Sequence, residues 1–224
     1  GYDEFIELTP AQMRHGEHWY RGTADSVYQN INLIRDYRPP NVAVFGGDHI
    51  YKCAVGQMES FHNEIDADLT IAAYPVPKSD AHQFGVIQVD ENSRIVGFQE
   101  KPADPACIPG QPDTCLVSMG NYFFKSDVLI DALHENSQRA ETSHDFGKDI
   151  IPALLAGGAH VYAYDFRDNR VPGDPIDAQP YWRDVGTLDS YFAASVELRS
   201  PLPTLNLYNR KWRIRTAQRN HPPV

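Results

Sequence analysis

The sequence predicts an α/β fold with a mostly parallel or mixed sheet, doubly wound and flanked by helices. Three observations carry this. Short apolar runs rich in β-branched residues, at 42–45 and 69–77, alternate with stretches whose apolar residues recur at helical spacing. The run at 42–45 ends in Gly46, Gly47 and Asp48, which sets a carboxylate at the carboxyl end of a strand, where open α/β sheets bind ligands. The 224 residues, 42% hydrophobic, suffice for one good core, or for one domain with an appendage.

The chain opens on GYDEFIELTPAQMRHGEH, without an initiator Met or a recognisable first strand, and reads as the middle of a longer protein. One amphipathic helix is expected from Ala24 to the end of the stretch at 37, with Val27, Ile31 and Ile34 inward. Gly22 and Thr23 lie at its start, either as a plain N-cap or as a place where free N–H groups receive an acceptor. Pro39 and Pro40 stop it, and the buried strand at 42–45 follows. A second helix spans 55–67 with Met58, Phe61 and Ile65 inward, and 69–77 is the next buried strand. Residues 84–102 form a hairpin around a DENSR turn, ending in Glu100, Lys101 and Pro102. Pro102 favours an extended backbone at Lys101 and helps aim both side chains at a common point, although an exposed edge reads as well. After a Pro-rich loop at 103–115 come a strand at 116–124 interrupted by Gly120, a helix at 127–134, and a polar loop at 143–147. A helix at 149–155 and a strand at 160–166 follow. Asp184 then stands in a loop ahead of a helix that Thr187 or Asp189 caps. Residues 201–224, broken by Pro201 and Pro203, read as a linker leaving the domain.

Charge and composition exclude several functions. A net charge of -10 argues against general nucleic-acid binding, which wants a basic face. No apolar stretch approaches the roughly 20 residues of a membrane span. The three cysteines have no metal-site spacing; Cys107 and Cys115 could be bridged, but an odd count without a signal peptide fits a reducing cytosol better. His15 and His18 share a helical spacing but lack a third ligand, so surface histidine is the simpler reading. Asp48 remains open between two roles: holding a hard cation such as Mg²⁺, or capping the helix that follows.

The segments WYRGTAD (19–25), GGDHIY (46–51), FGV (84–86), FQEKP (98–102), SMGNYFF (118–124), SHDFGKDIIP (143–152) and PYWRDVGTLDSYF (180–192) occur in that order. Together they resemble the bacterial glucose-1-phosphate adenylyltransferases, or ADP-glucose pyrophosphorylases, over nearly the whole chain. The resemblance implies a Rossmann-like nucleotidyltransferase fold, incomplete at its N-terminus because the family's Gly-rich triphosphate loop and the Lys after it are missing. Residues 1–200 would be the catalytic domain, and 201–224 the linker toward an absent left-handed β-helix. The fragment alone would then turn over poorly. The implied reaction joins ATP and glucose 1-phosphate into ADP-glucose and pyrophosphate, for glycogen or a starch-like glucan.

Carried over residue by residue, the resemblance implies that Asp48 and Asp184 hold Mg²⁺ and that Lys101 contacts the sugar phosphate. Glu100, Ser118, Tyr122, Asp145, Phe146 and Trp182 would line the glucose 1-phosphate pocket. Tyr20, Gly22 and Thr23 would sit by the nucleoside, with helix-start N–H groups available to it, and Gly85 would allow close approach of the sugar nucleotide. The resemblance further implies a cytoplasmic protein, homotetrameric at full length and controlled allosterically, without nucleic-acid or membrane partners. Two rival readings are a sister enzyme for another nucleotide or sugar, and a non-catalytic regulatory subunit. The presence of Asp48, Lys101 and Asp184 speaks against the second.

Overall fold

A computed structural model describes residues 7–13, 17–175 and 177–214. His15 and the last ten positions of the expected linker lie outside the described residues. The chain divides into two compact units, one taking in the chain up to Phe45 together with Met58–Asp165, the other Gly46–Gln57 together with the chain from Phe166 onward.

The first unit is built on a six-stranded sheet of β1 (Asn41–Phe45), β3 (Leu69–Pro77), β4 (Gly85–Val89), β5 (Ile95–Glu100), β6 (Thr114–Lys125) and β7 (Val161–Asp165). The order is β5-β4-β6-β3-β7, with β1 also on β6. The sheet is mixed, and among the described pairings only β3 with β7 is parallel. The cause is β6: this strand of 12 residues runs antiparallel to every neighbour, with β3 on one edge and β4 and β1 sharing the other. β1 is half-buried with Ala43 exposed, rather than fully buried, because β6 is its only partner among the described residues.

Helices cover both faces. Leu69, Ile71 and Ala73 of β3, with Tyr122 and Phe124 of β6, pack against Leu129 and Leu133 of α5 (Ser126–Gln138) and Ile151 of α6 (Ile151–Ala156). The alternate residues face the other way, as the pleat requires. There Thr70 and Phe123 meet His62 of α3 (Val55–Glu64). The residues of α3 that are buried are Met58 and His62; Phe61 and Ile65, expected inward, are only half-buried.

The single helix expected from Ala24 is two: α1 (Thr23–Tyr28) and α2 (Ile31–Tyr37). Side chains break it. Gln29 donates to the Asp25 carboxylate at 2.8 Å and Asn30 to the Ser26 carbonyl at 2.8 Å, while Asn30 leaves helical geometry at φ -112°, ψ 15°. Asn and similar short polar residues offer the backbone such alternatives. The helix expected at 149–155 begins earlier, as a π-helical turn over Phe146–Ile150 that runs into α6. Lys78–Ala81 forms α4 between β3 and β4.

The second unit holds β2 (His49–Tyr51), β8 (Trp182–Asp184) and α7 (Leu188–Glu197). Thr187 and Ser190 cap α7 reciprocally, so Thr187, not Asp189, is the cap. α7 leaves Leu188, Tyr191 and Phe192 exposed.

His62 is 1% exposed, its Nδ1 is 2.9 Å from the Thr70 hydroxyl, and its ring lies edge-on to Phe123. Burial, helped by the charge of Lys125, pushes its pKa down to about 4. The folded chain thus holds His62 neutral where the unfolded chain, titrating near 6.5, takes up a proton. Stability from this group should be level above pH 6.5 and fall as pH drops toward 4, by about 1.4 kcal/mol per pH unit. Denaturant titrations at pH 7 and pH 5 check this: His62→Gln should lose much less stability between the two than the parent chain. Equal losses would show that His62 does not carry the dependence.

Candidate active site

In the first unit the candidate residues converge on Asp145. Its backbone is extended and its carboxylate caps the π-helical turn, Oδ1 accepting from the N–H groups of Gly147 at 2.8 Å and Lys148 at 3.0 Å. Oδ2 accepts from the Thr23 hydroxyl at 3.0 Å, and Thr23 Oγ1 in turn accepts the Phe146 N–H at 3.1 Å. Gly22 is extended at φ -178°, and a Cβ there would overlap the carbonyls of Ser143 and His144. The His144 carbonyl receives the N–H groups of Ala24 and Asp25 at 2.8 and 3.4 Å. The helix-start donors expected to face a nucleotide are therefore engaged by the chain itself, and Gly22 and Thr23 fasten α1 to the loop at 143–147. Asp25, missed in the sequence, anchors the same corner. Burial by itself raises its pKa, but hydrogen bonds from Arg21 and Gln29 outweigh that and lower it.

Glu100, at the end of β5, occupies a notch cut by two glycines. A Cβ on Gly147 would overlap its carboxylate; one on Gly85 would overlap the Phe98 ring and come within 3.0 Å of Glu100 Oε2. Gly85 thus makes room for this packing. Burial first, then the charge of Asp145, raises the Glu100 pKa against the opposing charges of Lys101 and Lys148. Tyr122 is buried, its hydroxyl paired with Ser118, and burial pushes its pKa up. A bulge brings that pair together. Between Ile71 and Ala73 the register jumps from Tyr122 to Ser118, and Gly120 takes φ +71° with its N–H on Ser118 Oγ at 3.1 Å. Phe146 is closed against Tyr122 and Phe124, at ring distances of 5.4 and 5.9 Å, so it backs the cluster rather than offering a free face.

Lys101 is not extended. Its φ is +47°, left-handed despite Pro102, and its N–H donates to the Phe84 carbonyl at 3.0 Å. That bond adds a rung to the β4–β5 hairpin and outweighs the local preference before proline. Its side chain is exposed and has no ion-pair partner among the described residues. Tyr20 stands apart from these contacts, its hydroxyl accepting from Asn30 at 2.9 Å and reaching the Thr9 carbonyl at 3.5 Å. Two acidic acceptors, two hydroxyls and one unpaired ammonium suit a polyhydroxylated ligand carrying a phosphate.

In the second unit β2 and β8 pair antiparallel with His49 opposite Asp184. Asp48 directly precedes this ladder, and β2 rather than a helix begins at the next residue, so the capping role falls away. α3 instead receives Asn169, whose side chain pairs with both the N–H and the carbonyl of Ala54. The Asp48 carbonyl takes the Val185 N–H at 3.1 Å, and Asp184 Oδ1 takes the Gly186 N–H at 2.7 Å. One ligand atom each from Asp48, His49 and Asp184 lie within 4.8 Å of one another. His49, whose Nε2 is 3.5 Å from Asp48 Oδ1, went unnoticed in the sequence, where only its adjacency to Asp48 marked it. Lys52 is buried and committed to Asp174 at 2.6 and 2.7 Å. Trp182 is 5% exposed and meets His49 edge-on at 5.7 Å, so it sits in this cluster as a buried wall. Two carboxylates with an imidazole beside them can hold a divalent cation.

The Glu100 notch has a direct test. Gly147→Ala should force the Glu100 carboxylate out of place and destabilise the fold by about 1–3 kcal/mol, the usual cost of overpacking. Gly147→Ala with Glu100→Ala should recover most of this in thermal melts. A fully stable Gly147→Ala single variant would show that the notch is not tight.

A family model described as nucleotidyl transferase matches residues 2–200. The chain is 51% identical over 226 residues to a glucose-1-phosphate adenylyltransferase of Thermus thermophilus, which covers 99% of this chain and 54% of the relative. It is 52% identical over 222 residues to one of Paraburkholderia phytofirmans, again 99% of this chain and 52% of the relative. A third, from Vibrio cholerae, is 48% identical over 222 residues, covering 99% and 54%. The chain spans about half the length of the curated relatives it matches. With a family model matching most of its length, the chain belongs to the nucleotidyl transferase family.

Proposed function

We propose that this chain forms the sugar-phosphate and metal-binding part of a glucose-1-phosphate adenylyltransferase, which transfers the adenylyl group of ATP to glucose 1-phosphate with release of pyrophosphate. The observation that carries it is identity of about one half, over 99% of the chain, to proteins with that name. The Asp145-centred cluster supports it, since its donors and acceptors match a sugar with a phosphate.

In this reading the phosphate oxygen of glucose 1-phosphate attacks the α-phosphorus of ATP in line, without a covalent enzyme intermediate, and the protein contributes positioning and charge. Glu100 and Asp145 accept from sugar hydroxyls, and Ser118 and Tyr122 supply hydroxyls. Phe146 shapes the wall in the first unit, Trp182 is assigned to the sugar on the resemblance alone, and Lys101 reaches the sugar phosphate as a point charge. Gly22 and Thr23 act through the loop they hold, Gly85 acts through Glu100, and Tyr20 is assigned to the nucleoside on the resemblance alone. Asp48 and Asp184, with His49 beside them, would hold Mg²⁺, which supplies charge neutralisation for the phosphates when bound. Residues 1–200 as catalytic domain, 201–224 as linker, a cytoplasmic location and a homotetramer at full length go with this reading and rest on the resemblance. No helix among the described residues is long and apolar enough to cross a membrane.

A chain of the relatives' full length carrying these residues, assayed against a panel of nucleoside triphosphates and sugar 1-phosphates, should prefer ATP with glucose 1-phosphate. A clear preference for another pair would overturn the substrate assignment. Lys101→Ala should raise the KM for glucose 1-phosphate by about one to two orders of magnitude, the loss of a charge-assisted contact worth roughly 1.5–3 kcal/mol, with kcat much less affected. Asp48→Asn should instead collapse kcat while KM values move little, because charge shifts onto the bridging and leaving oxygens during transfer. Steady-state kinetics with each substrate varied decides both. A normal sugar-phosphate KM in the first variant, or near-normal kcat in the second, refutes the corresponding role.

A further inference from the structure

We propose that Cys107 and Cys115 form a reversible redox pair, a dithiol that exchanges with a low-molecular-weight disulfide to close an intramolecular bond across the loop that follows Lys101. Their sulfurs lie 3.6 Å apart, with the Cys115 thiol donating toward Cys107 Sγ. The backbone already holds them in register. Ile108 donates to the Thr114 carbonyl at 2.8 Å and forms an isolated bridge with Gln111, so the neighbours of both cysteines are tied together. Closing from contact to a bond of about 2.05 Å therefore asks for a rotation of side chains, not a rebuilt loop.

The two thiols have different surroundings. Cys107 is partly exposed and its thiol donates to the Pro112 carbonyl at 2.9 Å; Cys115 is fully buried in β6. Lys78, held by Asp104 at 3.0 Å, contributes positive charge to both. Burial, and Cys107 beside it, push the Cys115 thiol up to about 11, so it is protonated at neutral pH. Cys107 is accordingly the entry point. Its thiolate attacks one sulfur of the small disulfide and expels one thiolate, leaving a mixed disulfide on Cys107. Cys115, losing its proton, then attacks Cys107 Sγ and expels the second small thiolate. Two protein thiols are oxidised and one small disulfide is reduced to two thiols, so electrons and protons balance. Cys53 is the internal control: its thiol is also pushed up to about 11 by burial, and it has no sulfur partner among the described residues.

The full 224-residue chain, incubated with oxidised glutathione and then alkylated, reads this out by peptide mass. The expected product keeps one of its three thiols, Cys53, carries no glutathione, and has lost two hydrogens between Cys107 and Cys115. A small dithiol should restore all three. Cys115→Ser should stop at a stable glutathione adduct on Cys107, formed roughly tenfold faster than any adduct on Cys53. Cys107→Ser should leave Cys115 unmodified. A stable glutathione adduct on the parent chain, a disulfide between chains, or no reaction at Cys107 in the Cys115→Ser variant would each overturn the proposal, showing the sulfurs to be a packing contact only.

Discussion

The Asp145 carboxylate is the interaction that most of the first unit's candidate site depends on. It starts the π-helical turn, it receives Thr23 from the beginning of α1, and its charge acts on Glu100. Each of its bonds solves a local problem of unpaired backbone donors, and together they join segments more than a hundred positions apart in sequence. Burial and the Asp145 charge together raise the pKa of Glu100, so its carboxyl is less acidic than an ordinary glutamate.

The second unit reaches its order differently. Its carboxylates are placed by a short ladder, and elsewhere the unit carries polar pairs at least partly buried: Lys52 with Asp174, Asn209 with Asp174, and Asn169 with Ala54. Burying an ammonium group is costly unless it is paired, so Lys52 and Asp174 have to stay together. The pair also occupies the cation nearest to Asp48 in the sequence.

Much of this was legible in the residues. A continuous apolar run gave β3, and the alternation within the hairpin gave β4 and β5, close to their true limits. The convergence of Asp48 with Asp184 followed from their motifs, and the structure brings both to one ladder. What stayed hidden depended on partners distant in sequence. The break between α1 and α2 comes from side chains competing for backbone groups within a turn, which apolar spacing does not report. The left-handed Lys101 was missed because a single long-range bond to Phe84 overrode the effect of Pro102. Gly85 was noticed for the right space and the wrong occupant, since only the fold shows that Glu100 and Phe98 fill it.

The ladder of β2 and β8 has a consequence for how such a chain can change over generations. The two carboxylates owe their proximity to which residue faces which across three rungs, His49 with Asp184, Ile50 with Arg183, Tyr51 with Trp182. Nothing in that register counts the residues lying between the two strands. Insertions and deletions in the intervening loops are thus invisible to the pair so long as both strands find the same rungs. A single-residue slip within the ladder would instead turn each side chain to the opposite face. Lineages are free to lengthen or trim the connecting loops, while the three-residue strands behave as an indel-free reading frame.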